Sequence, residues 1–98
     1  MNLIITRHPA AVEWLRRRGI SGSEIQHATG NEGRPGDSVY GVLPVDYVDK
    51  FLKRGLSVFF VALPNLTLDA RKGDLSVEDM DRAGARLYRV RSIEVEPV

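Results

Sequence analysis

The segment Thr6-Arg7-His8-Pro9 sets a guanidinium beside an imidazole directly ahead of a proline. An arginine presents a planar fork of N–H donors to phosphoryl oxygens, and a histidine exchanges a proton near neutral pH. The proline marks the start of a helix, whose free N–H groups and dipole favour an anion at the same place. Together these groups suit a phosphodiester or a phosphate monoester. A structural reading stands beside this one: Arg7 as a surface ion-pair partner and His8 as a helix cap. The second histidine, His27, precedes a glycine-rich stretch, where it is either structural or a second proton-transfer group. Asn65 and Thr67 could orient a ribose or an adenine edge, and loop capping accounts for them equally well.

The elements that must position these residues follow from patterning. Leu3-Ile4-Ile5 is a β-branched-rich run that leads into Thr6-Arg7-His8, and the helix begun by Pro9 places Ala11, Val12 and Leu15 on one face. Arg16-Arg17-Arg18 occupy its last turn, where the dipole favours cations, and Gly19 supplies a stop. Glu24 to Ala28 reads as a short strand, and Gly30 to Asp37 as a mobile loop. Ser38 to Leu43 is a further strand, after which Pro44 opens a helix with Val45, Val48, Phe51 and Leu52 at helical spacing, closed by Gly55. Leu56 to Leu63 is apolar on both parities apart from Ser57, as a strand covered on both faces requires, and is expected at the centre of the sheet. Ser76-Val77-Glu78-Asp79 resembles a capping box before a short helix ending at Gly84. A last strand runs from Arg86 to about Val95, with a change of phase near Arg91-Ser92 that places a bulge or a departure from the sheet there.

This order predicts an α/β fold: one small Rossmann-like domain over residues 1–98, with an open, mainly parallel sheet of four or five strands and helices on both faces. Ligands of such sheets bind beyond the carboxyl ends of the strands, which singles out Thr6, Arg7 and His8, then Leu43-Pro44, then Asn65 to Thr67. Trp14 and Tyr40 are aromatics that could stack on a base, but at their positions core packing is the commoner use. The aspartates fall on loops and helix starts, where carboxylates cap, so no metal site and no cofactor is expected.

Composition narrows the class. The chain of 98 residues has no cysteine, which removes disulfides, thiolate zinc sites and cysteine nucleophiles. A net charge of +1 argues against a partner such as long nucleic acid, bound through many phosphates, while leaving a small anionic ligand open. The apolar start is too short for a signal-peptide core and no stretch reaches the ~20 apolar residues of a membrane span, so a cytoplasmic location and no membrane partner are expected.

Three segments carry a family resemblance: Ile5-Thr6-Arg7-His8-Pro9-Ala10-Ala11-Val12-Glu13-Trp14-Leu15, then Gly36-Asp37-Ser38-Val39-Tyr40-Gly41-Val42-Leu43-Pro44, then Leu75-Ser76-Val77-Glu78-Asp79-Met80 with Gly84-Ala85-Arg86-Leu87. In order and spacing they resemble the small CRISPR-associated ancillary proteins of the Csx-sixteen type. The resemblance implies a CARF-like fold and a place in type III CRISPR antiviral defence, where cyclic oligoadenylates are second messengers and ring nucleases remove them. It implies a metal-independent ring nuclease in which the ribose 2′-OH attacks the adjacent phosphorus, the 5′-oxygen leaves, and a 2′,3′-cyclic phosphate remains. In that reaction Arg7 and His8 are the catalytic pair: Arg7 stabilises charge on the phosphoryl oxygens and His8 protonates the leaving oxygen or binds phosphate. Thr6, His27 and Asn65 are the substrate-binding candidates, with Thr6 fixing the ribose or scissile group. A ring of four adenylates has two-fold symmetry, so a homodimer with the Gly30 to Asp37 loops as a lid is expected around it. The alternative is a non-catalytic cyclic-nucleotide sensor or sequestering module, for which Arg7 and the helix terminus suffice. A distant alternative is the Arg-His-Gly turn of histidine phosphatases, from which Pro9 departs. A protein-protein adaptor, the remaining alternative, would need neither Arg7 nor His8.

Overall fold

A computed structural model describes residues 1–6, 8–63 and 76–98. Among these, the strands are β1 (Asn2–Ile5), β2 (Ser23–Ile25), β3 (Ser38–Gly41), β4 (Ser57–Ala62) and β5 (Arg86–Val90), and the helices are α1 (Pro9–Arg17), α2 (Val45–Lys53) and α3 (Val77–Arg82). The strands form one sheet in the order β2-β1-β3-β4-β5. The first four run parallel and β5 lies antiparallel on the edge beside β4. The predicted mainly parallel α/β architecture is therefore the one adopted.

Alternation along the strands divides the core in two. Leu3 and Ile5 point to the face covered by α2, where they meet Val39, Val48, Phe51 and Val58. Ile4 points the other way, to Ala11, Trp14 and Leu15 of α1 and to Val77 and Met80 of α3. Such two-sided burial is what a parallel strand between helical layers requires. Trp14 and Tyr40 both serve this packing. Trp14 is buried and donates its indole N–H to Asp81 at 3.1 Å, joining α1 to α3. Tyr40 stacks on Phe59 with centroids 4.7 Å apart.

Helix ends follow local chemistry. Pro9 starts α1 in its first turn. Glu13 pairs with Arg16 and Arg17, Arg17 also approaches Glu78, and Arg18 lies 3.9 Å from the centre of the Trp14 ring. The arginine run is thus engaged with its own helix and with α3. The capping box of α3 is formed: Asp79 N–H donates to the Ser76 hydroxyl and Ser76 N–H donates to the Asp79 carboxylate.

Four expectations change. The buried strand β4 is interior, but β3 is the central strand because β5 adds only one neighbour beyond it. Strand β2 begins at Ser23 and ends at Ile25, since its partner β1 stops at Ile5 and the following residues turn away. The last strand ends at Val90, where the antiparallel pairing reaches Val58 at the amino end of β4, and Ile93 then packs on the α2-side core. The phase change near Arg91 marks this departure.

The fourth change concerns residues 30–37, expected as a lid over the strand ends. They form a strap from the carboxyl end of β2 to the amino end of β3, in the place where a helix would cross. Arg54 fastens it, donating to the carbonyls of Glu32 at 2.8 Å and Gly33 at 2.6 Å and, less closely, to that of Gly30. Glu32 folds back onto the N–H groups of Thr29 and Gly30. Burial pushes the Glu32 carboxyl up, and those N–H bonds outweigh it, so it titrates below the usual range. At the far end Asp37 accepts from Arg34 N–H at 2.9 Å and pairs with the terminal ammonium of Met1 at 3.3 Å. The strap's end therefore sits at the amino edge of the sheet and cannot close over the opposite one.

Hydrogen bonds from a charged donor contribute more than exposed ion pairs, which are worth about 0–1 kcal/mol. Arg54→Ala is accordingly expected to cost about 2–4 kcal/mol in denaturant unfolding, and Arg54→Lys to recover only part, because one ammonium cannot span the same carbonyls. The capping box gives a pH signature. Hydrogen bonding from the Ser76 N–H, then from its hydroxyl, with Arg82 adding to both, holds the Asp79 carboxyl below its ordinary value of 3.8. Its contribution is complete above that value and is lost as the pH falls through the folded-state value. Asp79→Asn should lower the thermal midpoint at neutral pH, with the gap to wild type closing below pH 3.8.

Candidate functional site

Register decides where the strands stop. Ile5 pairs with Ile25 of β2 on one side and with Gly41 of β3 on the other, so three neighbouring parallel strands end level. The chain leaves β1 toward β2 on one side and resumes at β3 on the other, which makes the β1/β3 boundary a topological switch point. A cleft of about 410 Å³ opens there.

Gly41 lets the strands meet so closely. It has φ of +153°, and a Cβ on it would fall 1.9 Å from the Ile5 carbonyl oxygen. Any side chain would push β3 away from β1 at the floor of the cleft.

The end of β1 contributes Ile5, Thr6 and His8 to the lining. Thr6 is half-buried and its hydroxyl accepts the His8 N–H at 3.1 Å, which turns the backbone into α1. The His8 carbonyl accepts from Ala11 N–H, and His8 occupies the N-cap position with no side-chain bond to the helix. The alternative reading of His8 as a side-chain cap is thus not realised, and its exposed imidazole lines the cleft. The end of β2 contributes Gln26, His27 and Ala28, with Gln26 and His27 exposed. The turn from β3 into α2 contributes Val42, Pro44 and Tyr47.

Of the residues singled out by sequence, the fold brings Thr6, His8 and His27 to one cleft. Both histidines of the chain are there, although 19 positions separate them. Arg7 and Asn65, like Thr67, lie outside the described residues. Sequence reasoning missed Gln26 and Tyr47. Tyr47 carried a usable signal, as it lies in the first turn of a helix that follows a parallel strand. Gln26 carried none until β2 was placed beside β1.

The lining has hydroxyl, imidazole and amide groups along β1 and β2 and an apolar flank along β3 and α2. Such a cleft can hydrogen-bond phosphate or ribose oxygens and move a proton between two imidazoles and a bound group. Among the described residues no three acidic or histidine side chains converge as metal ligands, and no helix is long and apolar enough to cross a membrane.

Fold and cleft together define an α/β protein of Rossmann-like type with a polar site at its switch point. Residues 3–93 match the family described as "Putative CRISPR-associated protein (Cas_VVA1548)", and the chain belongs to that family of CRISPR-associated proteins. No curated protein and no solved structure matches it.

Gly41→Ala is expected to destabilise the fold by about 2–5 kcal/mol, since backbone strain and a backbone clash combine. Thermal unfolding checks this, with Gly36→Ala as the reference, where φ is also positive but a Cβ meets open space.

Proposed function

We propose that this CRISPR-associated protein is a metal-independent ring nuclease that opens a cyclic oligoadenylate, with cyclic tetra-adenylate as the favoured ring, in type III antiviral defence. The observation that supports this reading best is the convergence of Thr6, His8 and His27 on one cleft at the switch point of the sheet. Family membership supports the CRISPR setting, and the resemblance to the Csx-sixteen type supplies the substrate.

In the reaction the ribose 2′-OH attacks the adjacent phosphorus in line. The P–O5′ bond breaks as the P–O2′ bond forms, so the products are a 2′,3′-cyclic phosphate and a free 5′-OH. One proton leaves the 2′-hydroxyl and one must reach the departing 5′-oxygen. Two imidazoles divide these tasks: His8, at the start of α1, delivers the proton to the leaving oxygen and His27 accepts the other. The Thr6 hydroxyl orients the ribose, and Arg7 and the helix terminus neutralise the phosphoryl oxygens. Alignment of the internal nucleophile contributes several kcal/mol, and a placed acid or base adds roughly 10² to 10⁴ in rate.

A cleft of about 410 Å³ is at the small end of ligand sites and accommodates a single nucleotide better than a ring. Two copies about a two-fold axis, each offering its strand ends, would surround a ring of four. The protein is therefore proposed to act as a homodimer in the cytoplasm.

The test is incubation of wild type, Arg7→Ala, His8→Ala and His27→Ala with cyclic tri-, tetra- and hexa-adenylate in EDTA, with products resolved by chromatography. Wild type should yield linear products with cyclic phosphate ends, and each variant should be about 10²- to 10⁴-fold slower. Tight binding with no turnover would overturn the nuclease in favour of the sensor.

A further inference from the structure

The cleft is divided by element. Thr6, His8, Gln26 and His27 come from the ends of β1 and β2, whereas Val42, Pro44 and Tyr47 come from the β3–α2 turn. A nucleotide is divided the same way, with a charged sugar-phosphate on one side and a flat base on the other. Among the described residues the apolar flank has one aromatic ring, that of Tyr47.

That ring is held. Tyr47 packs against the α2-side core and is half-buried. Gly30 of the strap lies nearby: a Cβ there would be in ordinary contact with the ring edge, at 3.4 Å, and 2.8 Å from Cδ of the flexible Lys50 side chain. Gly30 has φ of +93°, the left-handed region that favours glycine. The Lys50 ammonium lies 5.6 Å from the ring centre. Core packing on one side thus restricts the ring before any ligand arrives, which lowers the ordering cost of stacking. Gln26, exposed at the end of β2, presents an amide that can both donate and accept, the pattern that matches the N6 and N7 edge of adenine.

We propose that Tyr47 is the stacking wall and Gln26 the edge reader of a one-nucleotide, adenine-selective base subsite. This rests on the reading of the cleft as a cyclic oligoadenylate site and adds the source of its base preference. Val42, 53 % exposed at the mouth, extends the apolar flank.

The test is calorimetric titration of wild type, Tyr47→Phe, Tyr47→Leu and Gln26→Ala, each carrying His8→Ala to block turnover, with cyclic tetra-adenylate and with the same ring built from inosine. Tyr47→Leu keeps an apolar side chain at the core contact, and an unchanged thermal midpoint verifies its folding. Base–aromatic stacking predicts an affinity loss of about 5- to 100-fold for Tyr47→Leu and little change for Tyr47→Phe. The adenylate ring should bind more tightly than the inosinate ring, and Gln26→Ala should abolish that difference. Equal affinity of Tyr47→Leu and its parent, or a preference that survives Gln26→Ala, overturns the subsite while leaving the cyclic oligoadenylate reading intact. A His8→Ala parent and a wild type that both bind no ring overturn the two together.

Discussion

The candidate site depends on three parallel strands ending at the same level. The pairing of Ile5 with Ile25 and with Gly41 makes three separate turns open on one side of the sheet. A shift of one residue in either pairing would reverse the facing of a whole strand, moving Leu3 and Ile5 out of one core and Ile4 out of the other. The two hydrophobic layers thereby enforce the register, and the register sets the cleft. Gly41 is where the constraint is tightest, because the strand that ends there lies against a carbonyl with no room for a side chain.

Economy of chain explains the remaining architecture. A crossover between parallel strands ordinarily uses a helix. Between β2 and β3 this protein uses a strap, which exposes backbone carbonyls that would otherwise be satisfied within a helix. Arg54 takes up three of them, and Glu32 caps the N–H groups at the strap's start. At Gly30 the strap runs beside Tyr47 and Lys50 of α2, so the substitute for a helix reaches the cleft wall.

The strand-turn-helix units at Leu3 to Gly19 and Ser38 to Gly55 were legible because proline starts, glycine stops and hydrophobic periodicity agree there. The capping box at Ser76 was legible for the same reason. The ends of β2 and β5 were not, since a strand stops where its partner stops, and partners are set by tertiary pairing rather than by local sequence. The lid expectation failed for a related reason: a glycine-rich stretch looks mobile in sequence, while its fastening is an arginine at position 54, far along the chain. Residue chemistry and the strand-end rule singled out Thr6 and His8, and residue chemistry alone singled out His27; the fold brings the three to one cleft. Tyr47 was passed over because the helical spacing beside it, at Val48, Phe51 and Leu52, reads as core packing.

The central claim is that His8 and His27 serve one ligand in one cleft. It is tested most directly by nuclear magnetic resonance of the two imidazoles during titration with cyclic tetra-adenylate in EDTA, using Thr6→Val if turnover must be slowed. Both rings are predicted to shift along a single binding curve with a common midpoint. A shift confined to one ring, or two curves with different midpoints, would contradict a shared site.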